Sequence, residues 1–201
     1  MNVYRQAGLI FGAVTLSACV QLPEGVEPVQ PFEAKRYLGT WYEVARLDHS
    51  FERGLTGVTA NYSLRDDGGI KVVNRGCDAE KGEWSEAEGK AYFVREKDEG
   101  FLKVSFFGPF YGTYAVFGLD NEDYEYSFVA GPDTDYLWLL SREPEVADSV
   151  KSDFLQQASE GFYPVTADTL EKRHNVPKEC SCPNAENTAL NSSAKPSRYL
   201  A

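Results

Sequence analysis

The chain has 201 residues, 42% hydrophobic and 25% charged, enough for one ordinary globular domain with its own core and short tails. Its formal charge of −11, with Lys and Arg scattered rather than clustered, excludes a nucleic-acid-binding role, which needs a basic face to neutralise phosphates. The same charge leaves no basic patch for an anionic bilayer, so any attachment to a membrane has to come from elsewhere.

The N-terminus supplies one. Arg5 is the only charge in the first 18 residues, and Ala7 to Ala18 is a weakly polar run of 12 residues. That length suits the core of an export signal and is too short to span a bilayer. The run ends in Leu16-Ser17-Ala18-Cys19, which resembles the bacterial lipobox. Residues 1–18 are therefore expected to be removed as a lipoprotein signal peptide, leaving Cys19 to carry the lipid anchor. An ordinary export signal with a stray Cys, or a buried first helix, are the competing readings. Pro23, Pro28 and Pro31 weigh against a helix and mark residues 19–32 as a tether. Acyl chains at ~0.8 kcal/mol per buried CH₂ would make such an anchor effectively permanent. In enteric sorting an Asp after the lipidated Cys retains a lipoprotein in the inner membrane. Val20 in that place implies the outer membrane, with the protein on its periplasmic face.

From Gly39 to Arg142 the sequence reads as short strands broken by turn signals. Gly39 to Leu47 is the first. Val58 to Leu64 alternates apolar and polar residues, Asp66-Asp67-Gly68-Gly69 makes a hairpin turn, and Ile70 to Cys77 returns. After a Gly82-Glu83-Trp84-Ser85 connection come Gly89 to Arg95, Phe101 to Phe107, Tyr111 to Leu119, Tyr124 to Ala130 and Asp135 to Arg142, which makes eight. Consecutive antiparallel strands with short connections predict an all-β, eight-stranded up-and-down barrel, which leaves no exposed edge. Beyond Pro144, the spacing of Val146, Val150, Phe154 and Leu155 predicts a helix over Glu145 to Gln157, packed outside the barrel. The barrel with its helix is assigned to residues 33–178. The tail, 179–201, carries Cys180 and Cys182 and is polar and rich in small residues beyond Pro183, so it is expected to be disordered.

Three motifs in that pattern resemble those of the lipocalin family: Gly39-Thr40-Trp41 on the first strand, Thr134-Asp135-Tyr136 at the turn into the last, and Arg142 after it. The resemblance implies that Trp41 plugs the closed end beneath the Arg142 guanidinium, a structural device worth roughly 0.5–2 kcal/mol in cation–π and stacking energy. The runs Ala34 to Glu43, Asn61 to Gly69, Lys103 to Gly112 and Asp135 to Arg142, with the lipobox at Cys19, are similar to bacterial outer-membrane lipocalins, close to the apolipoprotein D-like branch. The likeness covers roughly residues 16 to 165. It implies storage or transport of lipid in the cell envelope, with lysophospholipids and fatty acids as ligands and dimerisation in some members.

An eight-stranded barrel holds one small ligand, in a pocket of about 300–1,000 Å³. Alternation nominates the ligand-facing residues Tyr62, Val72, Asn74, Tyr92, Val104, Phe106, Ala115, Phe117 and Trp138, with Ala60, Leu102, Tyr136 and Leu140 on the same faces; a slip of one residue would reverse any of these strands. Burying an alkyl chain gains roughly 0.8 kcal/mol per CH₂ against water but almost nothing against a bilayer. The pocket is therefore expected to take lipids that leave membranes readily, which are single-chain ones.

After processing, Cys77, Cys180 and Cys182 remain. An oxidising periplasm predicts a disulfide. Lipocalins often staple the C-terminal segment to the barrel wall, and Cys77 with Cys180 or Cys182 would do so; pairing of the leftover thiol with another chain stays open. His49 and His174 are the only imidazoles, so neither a metal site nor a cofactor is expected. Some lipocalins are enzymes, and a thiol-dependent isomerase using Cys77 is an alternative, although no motif for a general base or a phosphate loop accompanies it. An envelope lipoprotein with a filled barrel, using the aromatic run Phe106 to Tyr111 as an interface, is another.

Overall fold

The computed structural model describes residues 20–78 and 80–161 and, beyond them, 163, 165, 166 and 169. Residues 1–18, expected to be a signal peptide, Cys19, Cys180, Cys182 and the rest of 179–201 lie outside the described residues.

Eight strands follow one another: β1 (Gly39–Arg46), β2 (Leu55–Leu64), β3 (Ile70–Asp78), β4 (Glu83–Phe93), β5 (Phe101–Ser105), β6 (Gly112–Leu119), β7 (Tyr126–Ala130) and β8 (Leu137–Ser141). Each is antiparallel to the next, and β8 pairs with β1 to close the barrel. A short helix, α1 (Ala34–Tyr37), precedes β1, and α2 (Asp148–Glu160) follows β8. The expected eight-stranded barrel with an outer C-terminal helix is the fold found. Several boundaries differ from expectation by two residues or more. The segment Glu83 to Ser85, read as a connection, already pairs with Ser85 opposite Gly76 and Glu83 opposite Asp78, so β4 starts six residues early. Helix α2 starts three residues late because Ala147 is still extended, at φ −61° and ψ 150°.

The strand directions put the connections 47–54, 79–82, 106–111 and 131–136 at one end of the barrel and 65–69, 94–100 and 120–125 at the other. The second end is closed. Trp41 is fully buried there and its Nε1 donates to the Tyr37 carbonyl at 2.8 Å. The Arg142 guanidinium covers the indole and donates to the carbonyls of Thr40, Arg36 and Tyr124. Gly39 has φ +95°, where a side chain would be strained and its Cβ would stand 3.5 Å from Arg142 Nη1. Phe32 and Tyr37 stack beside Trp41 and complete the plug.

Two cores result. One fills the closed half of the barrel, around Trp41, Tyr62, Val72, Leu102 and Leu140. The other lies outside the barrel, where Phe154 and Ala158 of α2 cover Phe128, Ala115, Leu137 and Leu139; the Phe128 and Phe154 rings are 5.1 Å apart. Gly118 is required under this contact, since a Cβ there would meet the Phe128 ring at 2.2 Å. The N-terminal segment runs down the outer wall. Thr113 Oγ1 donates to the Gln21 carbonyl at 2.6 Å near the open end, and Val29 N donates to the Val116 carbonyl at 2.8 Å lower down.

Candidate functional site

The open half of the barrel contains a cavity in two connected compartments. The inner, of about 100 Å³, reaches down to Phe32, Tyr37 and Tyr62; the outer, of about 440 Å³, opens at Phe107, Phe110, Tyr111, Pro132 and Tyr136. Phe51, Glu52, Val58, Asn74, Val104, Phe106, Thr113 and Trp138 border both. The room exists because the inward positions of β4 are small. Ser85, Ala87, Gly89 and Ala91 stand opposite Gly76, Asn74, Val72 and Ile70 of β3. Phe106 folds over Gly89, where a Cβ would meet its ring at 2.8 Å.

Of the residues nominated from alternation, Tyr62, Val72, Asn74, Val104, Phe106 and Trp138 lie on the cavity wall, as do Ala60, Leu102 and Leu140. Three do not. Tyr92 points outward: its hydroxyl donates to Asp67 Oδ2 at 2.8 Å and its ring packs edge-on against Tyr111, while Ala91 takes the inward place. Ala115 and Phe117 also face outward, into the core under α2, and Tyr114 of β6 points into the cavity instead. Thr134 and Asp135 are exposed in the turn before β8, where Asp135 N donates to Asp133 Oδ1, and Tyr136 reaches the cavity mouth.

Cys77 is fully buried and disulfide-bonded, so it offers no thiol to the cavity; its partner lies outside the described residues. At the mouth, Phe107 and Phe110 are 53% and 73% exposed, the most open large apolar side chains beside the cavity.

The polar groups in the barrel form two sets. Deep in the inner compartment Tyr37, Tyr62, Tyr114 and Ser127 share hydroxyl hydrogen bonds of 2.8 to 3.0 Å. Burial pushes the Tyr37 phenol up to about 12 and those of Tyr62 and Tyr114 well up, so the network is neutral and satisfied within itself.

The second set is ionic. Glu43 lies two residues beyond Trp41 on the inner face of β1, opposite the inward Leu140, and a bulge between Glu43 and Ala45 then brings Arg46 to the same side, opposite Trp138. Arg46 donates to Glu43, and through Nη2 to the carbonyls of Glu52 and Leu55 at 3.0 and 3.2 Å. His49 Nε2 lies 2.9 Å from Glu52 Oε2, at ion-pair distance but off hydrogen-bond alignment, and Trp138 Nε1 donates to the same oxygen at 3.0 Å. All four ionisable side chains are more than nine-tenths buried. Burial, and then the neighbouring Glu52 carboxylate, push Glu43 up to about 8. Burial alone would also raise Glu52, but His49, the Trp138 indole and Arg46 outweigh it and hold that carboxyl below the ordinary range. The sequence signal was present in the three-residue steps from Glu43 to Arg46 to His49 to Glu52, which carry four ionisable side chains from β1 into the loop after it.

Comparison with known proteins follows the same lines. Residues 32–174 match the family model described as a lipocalin-like domain. The chain is 61% identical over 159 residues to the outer membrane lipoprotein Blc of Vibrio cholerae serotype O1, covering 79% of this chain and 93% of that protein. It is 59% identical over 141 residues to the protein of the same name from Escherichia coli K12, covering 70% and 79%. Insecticyanin from the tobacco hornworm Manduca sexta superposes with a TM-score of 0.58 at 17% identity, over 82% of this chain and 90% of its own, a likeness of fold alone.

Proposed function

This chain belongs to the lipocalin family, and we propose that it is an outer-membrane lipoprotein, anchored through acylated Cys19, that binds and stores or transports a single-chain lipid, a lysophospholipid or fatty acid, in the cell envelope. The observation that carries this reading is the apolar outer compartment of about 440 Å³, open at the rim and within the range of small-molecule sites. A barrel filled by its own side chains would leave no such space. The names of the relatives from Vibrio cholerae and Escherichia coli support the location. The width of the barrel supports one chain over two, since a second alkyl chain would have to displace the wall from Val104 to Trp138.

The test is a titration of the delipidated protein with a lysophospholipid and with a diacyl phospholipid carrying the same head group. Binding of the lysophospholipid at least tenfold tighter is the expected result. Equal affinity would overturn the single-chain reading.

A second reading draws on Phe107 and Phe110, whose exposure at the mouth suits an interface between two copies of the chain, mouth to mouth. Sedimentation of the wild type and of Phe110→Ser separates it: a dimer that the substitution dissolves supports it, and a monomer in both contradicts it.

A further inference from the structure

Two carboxyl groups border a cavity that a purely apolar ligand would leave without any use for them. Glu43 faces the inner compartment and Glu52 the junction of the two. The charged and titratable groups around them are Arg46 from β1, His49 from the loop after it, and Tyr62 from β2; Trp138 of β8 contributes its indole N–H. Two carboxyl groups thus lie beside a single guanidinium, which bonds Glu43, in water-excluded surroundings where a buried carboxylate is costly. Burial, and then the Glu52 carboxylate, keep a proton on Glu43 toward neutral pH.

A second observation points the same way. Asn74 borders both compartments, and its buried Oδ1 has no hydrogen-bond partner among the described residues. The Tyr62 and Tyr114 hydroxyls are engaged with each other, and Trp138 Nε1 is engaged by Glu52. Ser105 Oγ, on the outer compartment, is also without a hydrogen-bond partner among the described residues, and Arg46 Nε and the two ring nitrogens of His49 are so behind the wall. The inner wall itself presents two carboxyl groups and an amide oxygen, which suit a donor carrying positive charge. The polarity gradient runs from the outside in: the mouth is ringed by Phe51, Phe107, Phe110 and Tyr136, and the ionic groups lie beneath it. The inner compartment, of about 100 Å³, has the size of a small head group, and the outer, of about 440 Å³, that of a chain.

We propose that Glu43 and Glu52 form a receptor for the ammonium group of a single-chain amphiphile, which enters head first and lays its alkyl chain along Val104, Phe106 and the aromatic rim. The ammonium takes the place of the proton on Glu43, which passes to solvent, so the charge inside the barrel is unchanged by binding. Asn74 Oδ1 accepts one of the ammonium hydrogens. A carboxylate head finds no cation on the inner wall: Arg46 lies behind it, bonded to Glu43 and to two carbonyls, and Arg75 borders the outer compartment only, over the Trp84 ring. The inference rests on the carrier reading and narrows its ligand to an ammonium-headed chain.

The experiment is calorimetry of the delipidated full-length protein with decylamine, decanol and decanoate at pH 7, in buffers of different ionisation enthalpy. The amine is expected to bind at least tenfold tighter than the alcohol and to release about one proton per chain. Glu43→Gln should bring the ratio of amine to alcohol affinity close to one, and Glu52→Gln provides the same comparison should the first variant fail to fold. An amine that binds no tighter than the alcohol, or that releases no proton, overturns the head-group inference and leaves the carrier reading standing. Failure of all three chains to bind overturns both. Lysophosphatidylethanolamine and lysophosphatidylglycerol in further arms identify the source. A preference for the ethanolamine lipid assigns the ammonium to a phospholipid head, and its absence, with the decylamine preference retained, assigns it to a simple amine.

Discussion

The guanidinium of Arg142 lies 3.9 Å from the ring centroid of Trp41 and joins the last strand to the first across the closed end of the barrel. Its nitrogens also donate to the carbonyls of Thr40 and Arg36, at 2.9 and 2.7 Å, on the segment entering β1. Arg142→Ala removes the stacking and leaves three carbonyls without their donor, and should cost roughly 2–4 kcal/mol. Arg142→Lys should recover less than half of this, because an ammonium cannot fork across separated acceptors. Urea unfolding midpoints provide the check, and an Ala variant as stable as the wild type would show that the stack carries no load.

Glu43 gives stability a pH dependence whose sign can be worked out. Its carboxyl rises from 4.5 to about 8 on folding, so below about 4.5 both states hold the proton and nothing is lost. As pH rises toward 8 only the unfolded chain releases the proton, and stability falls; above 8 the loss is complete. Glu52, held low, runs the other way, losing its contribution as pH falls below 4.5. Glu43→Gln should therefore gain on the wild type steadily between pH 5 and pH 9, by roughly 2–4 kcal/mol at the upper end. Melting curves at several pH values measure the gap; a gap that is constant with pH would contradict the assignment.

Cys77 holds the barrel wall to a segment outside the described residues. Peptide mapping of the oxidised protein should find Cys77 joined to Cys180 or Cys182, and reduction should lower stability by roughly 2–5 kcal/mol. A reduced protein that melts at the same temperature as the oxidised one would mean that the staple constrains nothing.

Ala87 stands on the inner wall opposite Asn74 and borders the outer compartment. Ala87→Trp should fill that space and weaken alkyl-ligand binding at least tenfold while leaving the melting temperature unchanged or higher. Displacement of a fluorescent fatty acid measures it. Undiminished binding would place the ligand elsewhere.

Much of this was legible before the structure. Gly39-Thr40-Trp41 and Arg142 were legible through their resemblance to lipocalin motifs, and the structure supplies the reason for them: Gly39 sits at positive φ and the guanidinium covers the indole. The eight strands follow from turn chemistry such as Asp67, whose Oδ1 accepts from Gly69 N. Cavity positions were legible where one face of a strand meets solvent, as in β2 and β3. They failed on β6, where α2 buries the outer face and Ala115 and Phe117 are as apolar as the inward Tyr114 and Val116. They failed on β4 for the opposite reason: the wall is made of Ala87, Gly89 and Ala91, so the larger Tyr92 drew the inward assignment although it faces out. Within the ionic set Glu43 shares the inward parity of Trp41, whereas Arg46 was hidden by the β1 bulge, which sets it opposite Trp138 against the strict alternation.

The central claim is that the hollow above the Trp41 plug carries one lipid chain in the cell. Native mass spectrometry of the protein released from envelope membranes of its own host, without delipidation, tests it most directly. One single-chain lipid per chain, lost on Ala87→Trp, is the predicted spectrum. An empty barrel that stays empty when offered every single-chain lipid of those membranes would contradict it.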